Sequence, residues 1–167
     1  MKPVLYFTVG ISASGKTKFA NYIKELVDAV NINADDIRLR LTGDISNQSR
    51  NKEVFETMNK EIEQQISAGN NVIVSNTNLQ IGRLKEYREH FKENKIVLFL
   101  MLDSLVVETC KKRLRKDLEN NIVRSRVPEE VLDKQHSSFI NIIDQTNELK
   151  KDFQVFTVNS NFYIEKV

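Results

Sequence analysis

The sequence predicts a three-layer α/β fold, a central parallel sheet of about five strands with helices on both faces. Two observations carry this. Short apolar runs alternate with longer segments of helical period along the 167 residues, as in strand-helix-strand units whose strands are buried on both sides. In addition, a glycine-containing junction at residues 10–17 separates the first apolar run from the first helical segment. With 40% apolar residues the chain can bury one substantial core, so a single domain over 1–167 is expected.

The first strand is the run 4–9, Val-Leu-Tyr-Phe-Thr-Val, and further runs at 29–33, 71–75, 96–102 and 153–158 supply the others. Between them, 16–28 places Phe19, Ile23, Leu26 and Val27 on one face, and 51–68 spaces Phe55, Met58, Ile62 and Ile66 at intervals of three and four. Gly69 then stands where a left-handed residue ends a helix. A third helix over 81–94 turns Leu84, Tyr87 and Phe91 inward. Ser104 is expected to cap a fourth running to about 120, and Pro128 to open a fifth at its first helical position, with Glu129 and Glu130 beside the positive helix end.

Charge and composition narrow the function classes. There are 25 Lys+Arg against 23 Asp+Glu, a net +2, so no global field points to a polyanionic partner and local charge must do so. Cys110 is the only cysteine and cannot form an internal disulfide; it reads as a buried thiol in a reducing, cytoplasmic compartment. The first strand runs directly into the glycine junction without the pattern of a signal peptide, and no apolar run approaches a membrane span, so no membrane partner is expected. His90 and His136 read as surface residues without a catalytic part, and no Cys/His cluster has the spacing of a zinc site.

The junction reads Gly10-Ile-Ser-Ala-Ser-Gly15-Lys16-Thr17, which satisfies G-x-x-x-x-G-K-[ST] at a strand-to-helix turn. In such a loop the backbone N–H groups converge on phosphate oxygens, the lysine reaches the terminal phosphates and the hydroxyl can ligate Mg²⁺. The expected cradle is Gly10, Ser12, Ala13, Ser14, Gly15, Lys16, Thr17 and Lys18, with ATP as donor and Thr17 on Mg²⁺.

In a parallel sheet the C-terminal strand ends share one rim. The second strand delivers Asn31-Ile-Asn-Ala-Asp-Asp-Ile-Arg38 to that rim. Asp35 there either accepts a proton from an attacking hydroxyl or caps a short helix containing Ile37, Leu39 and Leu41. The third strand delivers Ser75-Asn76-Thr77-Asn78-Leu79, a polar cluster that suits a substrate or a polar turn. After the fourth strand, Lys111 to Arg126 holds seven basic residues against Asp117 and Glu119, either a solvated helix face or, favoured by its place, a helical lid over about 111–128 that neutralises transferring phosphates.

Taken together, these stretches resemble the phage-type polynucleotide 5′-kinases, whose kinase domain has the three-layer P-loop kinase fold with a basic helical lid. The resemblance implies that Asp35 is the general base on the 5′-hydroxyl, that Arg38 holds the phosphate 3′ of the acceptor nucleotide, and that Thr77, with Asn76 and Asn78, lies on the substrate side. It implies lid arginines on the donor, for which Arg113, Arg115, Arg124 and Arg126 are all eligible; Arg124 and Arg126 are expected to face the transferred phosphate, then Arg113 to face ATP. The partner would be 5′-hydroxyl-ended DNA or RNA, in end repair. One departure stands out: Asn76 occupies a position where the family usually has an aspartate near the metal. No phosphatase segment is expected, because its D-x-D-G-T signature needs a glycine and the last one here is Gly82. A small-molecule P-loop kinase and a non-catalytic nucleotide switch are the rival readings.

Overall fold

The computed structural model describes residues 1–167. Six strands form one sheet: β1 Val4–Val9, β2 Ala29–Ile32, β3 Asn71–Val74, β4 Lys95–Met101, β5 Gln154–Val158 and β6 Ile164–Lys166. Their order is β2-β3-β1-β4-β5-β6, with β6 antiparallel to β5 and every other pairing parallel. The fold is therefore α/β with a mostly parallel central sheet, as the alternation predicts. The antiparallel edge strand is an addition.

Central position explains the most apolar strands. β1 is paired on both sides, in register Leu5↔Val72 and Leu5↔Ile96. Side chains alternate across the sheet: Leu5, Phe7 and Val9 join Ile96, Leu98 and Leu100 in a core cluster of 25 residues, while Val97, Phe99 and Met101 join an opposite cluster of eight. The layers are unequal. Helices α2 (Ala34–Thr42), α3 (Asn51–Ser67), α4 (Ile81–His90), α5 (Val107–Glu119), α6 (Glu129–Asp144) and α7 (Thr146–Leu149) contribute to the large cluster, whereas α1 (Lys16–Ile23) is the only helix in the small one.

Several expectations need correction. The first helix stops at Ile23 and continues as turns, so Leu26 rotates outward and is 70% exposed. Ser104 does not cap α5; it is buried in a 3-10 turn over Leu102–Leu105, and α5 starts at Val107 without a side-chain cap. Pro128 precedes α6 as its N-cap. His136 is not a free surface residue, because it is half-buried with Nδ1 2.8 Å from the Ser104 carbonyl. β6 escaped the sequence pattern because all three of its residues are exposed. By contrast, Gly69 has φ +89° just after α3, and Cys110 is fully buried. No helix is long and apolar enough to cross a membrane.

Asn71 ties three elements at the rim opposite the glycine junction. Its Oδ1 accepts from the Val4 N–H at 2.8 Å and its Nδ2 donates to the Val27 carbonyl at 2.8 Å. Asn71→Ala leaves both partners unpaired and should cost about 1–2 kcal/mol, lowering Tm by about 3–8 °C. Asn70→Ala, removing an exposed contact to Gln65, should stay within about 0.5 kcal/mol. Thermal unfolding of the two variants checks this, and equal midpoints would remove the clamp from the account.

Candidate active site

The loop after β1 is built by accounting for its N–H groups. Gly10 donates to the Thr77 carbonyl at 3.0 Å, Ile11 to Ser104 Oγ at 3.0 Å, Ser12 to Gln135 Oε1 at 2.8 Å and Ser14 to the Ile11 carbonyl at 3.2 Å. Those of Ala13, Gly15, Lys16, Thr17 and Lys18 meet no acceptor in the protein. Of the expected cradle, then, Gly10, Ser12 and Ser14 spend their N–H groups on holding the loop, and the other five present theirs. Gly15 precedes α1 without a side-chain cap, and no acidic residue sits in the first turn. The positive helix end is left open to an anion.

Steric constraints fix this shape. A Cβ on Gly10 would lie 2.6 Å from Ser14 Oγ, 2.7 Å from Ser104 Oγ and 2.9 Å from Met101 Cβ, distances no side chain tolerates. Gly15 has φ +96° and Ala13 φ +63°, the left-handed turns that bring successive N–H groups to one side. Ser14 Oγ is buried without a partner.

Lys16 is buried, at 9% exposure, and folds back so that Nζ donates to the Ile11 carbonyl at 2.5 Å. Burial lowers its pKa from 10.5 to about 7, with Arg124 pushing the same way and Cys110 and Asp35 opposing. The charges of Arg124 and Asp35 thus reach the lysine of the loop. Burial also pushes the Cys110 thiol up, in keeping with an inert core residue.

β2 leads into α2 at the same rim, two strands and so about 10 Å from β1. Asn33, not Asp35, caps α2: its Oδ1 accepts from the Asp36 N–H at 2.9 Å, and its Nδ2 donates to Asp36 Oδ2 at 2.7 Å. That leaves Asp35 with a half-exposed side chain paired to Arg38 Nη1 at 2.5 Å. Arg38 is 5% exposed, donates from Nη2 to Asn51 Oδ1 at 3.1 Å, and keeps a buried, unpartnered Nε. Asp35 and Asn51 thus occupy one N–H of each terminal nitrogen of this guanidinium.

The Asn76-Thr77-Asn78 turn divides its labour. Asn76 Oδ1 accepts from the Ala34 N–H at 2.9 Å and Nδ2 donates to Met58 Sδ at 3.0 Å, so its amide joins α2 and α3 to the sheet rather than reaching Thr17. Asn78, at φ +49°, donates to the carbonyls of Thr8, Val74 and Asn76. The amides expected on the substrate therefore build the turn, and the Thr77 hydroxyl is the group left without a partner. The turn borders a cavity of about 290 Å³ between α3, α4 and α6. Arg83 lies over the Phe55 ring in its wall, 4.7 Å from the centroid, and Arg83 and Lys134 are its only charged lining residues.

In the basic segment the arginines separate. Arg113 pairs with Asp103 at 2.6 Å and donates to the Ala13 carbonyl at 3.0 Å, bracing the loop. Arg115 is taken by Glu129. Arg124 pairs with Asp117, and exposed Arg126 has no acidic partner. Sequence patterns missed Gln135 and Arg83 and gave Ser104 and Phe55 other roles, a helix cap and a core face, because each lies in an ordinary helix or turn outside any motif.

Lys16 generates a pH prediction. Between about pH 7 and 10.5 the unfolded chain binds the proton that the folded one releases, so the cost of burying this lysine falls, and stability rises, as pH rises through that window. Phosphates placed beside it reverse the shift, so ATP binding at about pH 8.5 should take up close to one proton, and at about pH 6 almost none through this group. Calorimetry in buffers of different ionisation enthalpy reads the uptake. Its persistence in Lys16→Met would contradict the assignment.

A family model described as an AAA domain matches residues 5–142. No curated protein matches the sequence. Among solved structures, the chain resembles one in the structure of the Pnkp1/Rnl/Hen1 RNA repair complex, with TM-score 0.74 and 23% identity over 86% of this chain and 46% of that one. A chain in a second Pnkp1/Rnl/Hen1 complex gives 0.59 and 25% over 75% and 41%. A chain of the PezAT chromosomal toxin-antitoxin system of Streptococcus pneumoniae gives 0.70 and 15% over 98% and 70%. This chain thus spans less than half the length of the first two. With its phosphate loop at the first strand-to-helix turn of a parallel sheet, the chain belongs to the AAA domain family and is a P-loop kinase-like domain.

Proposed function

We propose that the protein is an ATP-dependent polynucleotide 5′-hydroxyl kinase of the phage type, acting in the repair of nucleic-acid ends. The observation that carries this reading is the Asp35–Arg38 pair, delivered by β2 to the rim that bears the free N–H groups, with the Asp35 charge raising the pKa of Lys16. A base and a phosphate-binding cation beside a donor-phosphate loop are what transfer to a phosphate-bearing alcohol requires. The cavity bordered by the Asn76-Thr77-Asn78 turn, with two cations and no carboxylate in its lining, favours an anionic acceptor.

In this reading the five free N–H groups and Lys16 hold the β- and γ-phosphates, and Asp35 takes the proton of the 5′-hydroxyl. The hydroxyl oxygen bonds to the γ-phosphorus as the bond to the β–γ bridging oxygen breaks, and ADP leaves. Arg38 exchanges Asp35 for the acceptor's phosphate. The Thr17 hydroxyl, exposed at the start of α1, would hold Mg²⁺ together with the nucleotide's own oxygens; the ion would neutralise charge on the β- and γ-phosphates.

Labelled ATP offered with a 5′-hydroxyl oligonucleotide, nucleosides and sugars tests the acceptor class: label is expected on the oligonucleotide, and label on the small molecules alone would reject it. Asp35→Asn keeps the size of the side chain but cannot take the proton, so kcat should fall about 10²–10⁴-fold with ATP affinity nearly unchanged. Undiminished turnover in that variant would remove Asp35 from the chemistry. Arg124→Ala should lower kcat about 10²-fold, whereas Arg115→Ala should change it less than about twofold; comparable losses would show that the lid acts without this distinction.

A further inference from the structure

Gln135 has two polar ends, and the protein satisfies one. A backbone N–H can only donate, so the end facing Ser12 N–H must be Oε1, and Nε2 points elsewhere. The bond to Ser12 is the only hydrogen bond this side chain makes in the protein. The residue also lines the cavity of about 290 Å³, together with Thr77, Arg83, Lys134 and Ser138. One side chain thus touches the phosphate loop and borders the cavity at once.

Its neighbours hold it there. His136 Nδ1 contacts the Ser104 carbonyl at 2.8 Å, and Ser104 Oγ accepts from the Ile11 N–H at 3.0 Å. On the far side of the loop the Thr77 carbonyl accepts from Gly10 N–H. α6 is therefore pinned to Ile11 and Ser12 together, and Gln135 cannot swing away without releasing Ser12.

We propose that Gln135 is a positioning residue that couples acceptor and donor: Nε2 donates to an oxygen of an anionic acceptor seated in the cavity, while Oε1 keeps Ser12 in the conformation that aims the free N–H groups at the donor phosphates. This rests on the kinase reading above. The acceptor class follows from the walls, where Arg83 and Lys134 meet no carboxylate and Arg83 lies over an aromatic ring. That suits a phosphate-bearing, planar group such as a terminal nucleotide.

A role confined to holding Ser12 makes a different prediction from the coupling role. Gln135→Glu retains an oxygen for the Ser12 N–H but replaces the donor with a second acceptor, which repels an anion. Wild type, Gln135→Glu and Gln135→Met are compared with a 5′-hydroxyl oligonucleotide and labelled ATP, alongside ATP affinity and Tm. For Gln135→Glu the acceptor KM should rise about ten- to hundredfold, the loss of one hydrogen bond to a charged group, with ATP Kd within about twofold. Gln135→Met, which keeps the shape and loses both ends, should raise acceptor KM and also weaken ATP. An acceptor KM equal to wild type in either variant overturns the coupling role and leaves the kinase reading standing. Wild type that labels no 5′-hydroxyl oligonucleotide overturns both.

Discussion

Five N–H groups at the start of α1, those of Ala13, Gly15, Lys16, Thr17 and Lys18, face one region with no acceptor in the protein. Backbone donors are rarely left in this way without an outside partner, and much of the surrounding structure serves to keep them so. Of the loop's other N–H groups, three are drawn outward by separate elements, the Thr77 turn after β3, Ser104 after β4 and Gln135 on α6, and that of Ser14 closes on the Ile11 carbonyl within the loop. Arg113 closes the arrangement by donating to the Ala13 carbonyl. Gly10 is indispensable because no side chain fits between Ser14, Ser104 and Met101.

The unequal layers follow from the same requirement. α1 alone covers one face and carries the phosphate end. The other face carries every remaining helix, so the groups that surround the loop arrive from the start of α2, from within α5 and α6, and from the turns after β3 and β4. Such a layout concentrates polar machinery at one rim while the apolar strands β1 and β4 fill the interior. It also explains why two amides at the rim, Asn76 and Asn78, are structural: a turn that passes between three elements must satisfy carbonyls and N–H groups from each.

The strands were legible because a strand buried on both faces must be apolar throughout, as Val4–Val9 and Lys95–Met101 are apart from Thr8 and Lys95. The glycine loop was legible because its shape demands particular residues at fixed spacing. β6 left no trace, since an exposed edge strand needs no apolar alternation. Leu26 misled for the opposite reason: helical spacing continues in the sequence after the helix has ended at Ile23. At the site, Asp35 and Arg38 stood out by their place after β2, but the burial of Arg38 and the diversion of Asn76 to Ala34 and Met58 depend on packing between α2 and α3, which spacing does not encode. Gln135 was invisible because its partner lies 123 residues away.

The central claim, that the open N–H groups of the loop receive a triphosphate, is tested most directly by following backbone amide resonances of ¹⁵N-labelled protein as ATP is added. Large shifts are predicted for Ala13, Gly15, Lys16 and Thr17, with Gly10 and Ile11, whose N–H groups already have acceptors, moving least within the loop. Saturable ATP binding that left those four resonances and that of Lys18 in place and moved others instead would contradict it.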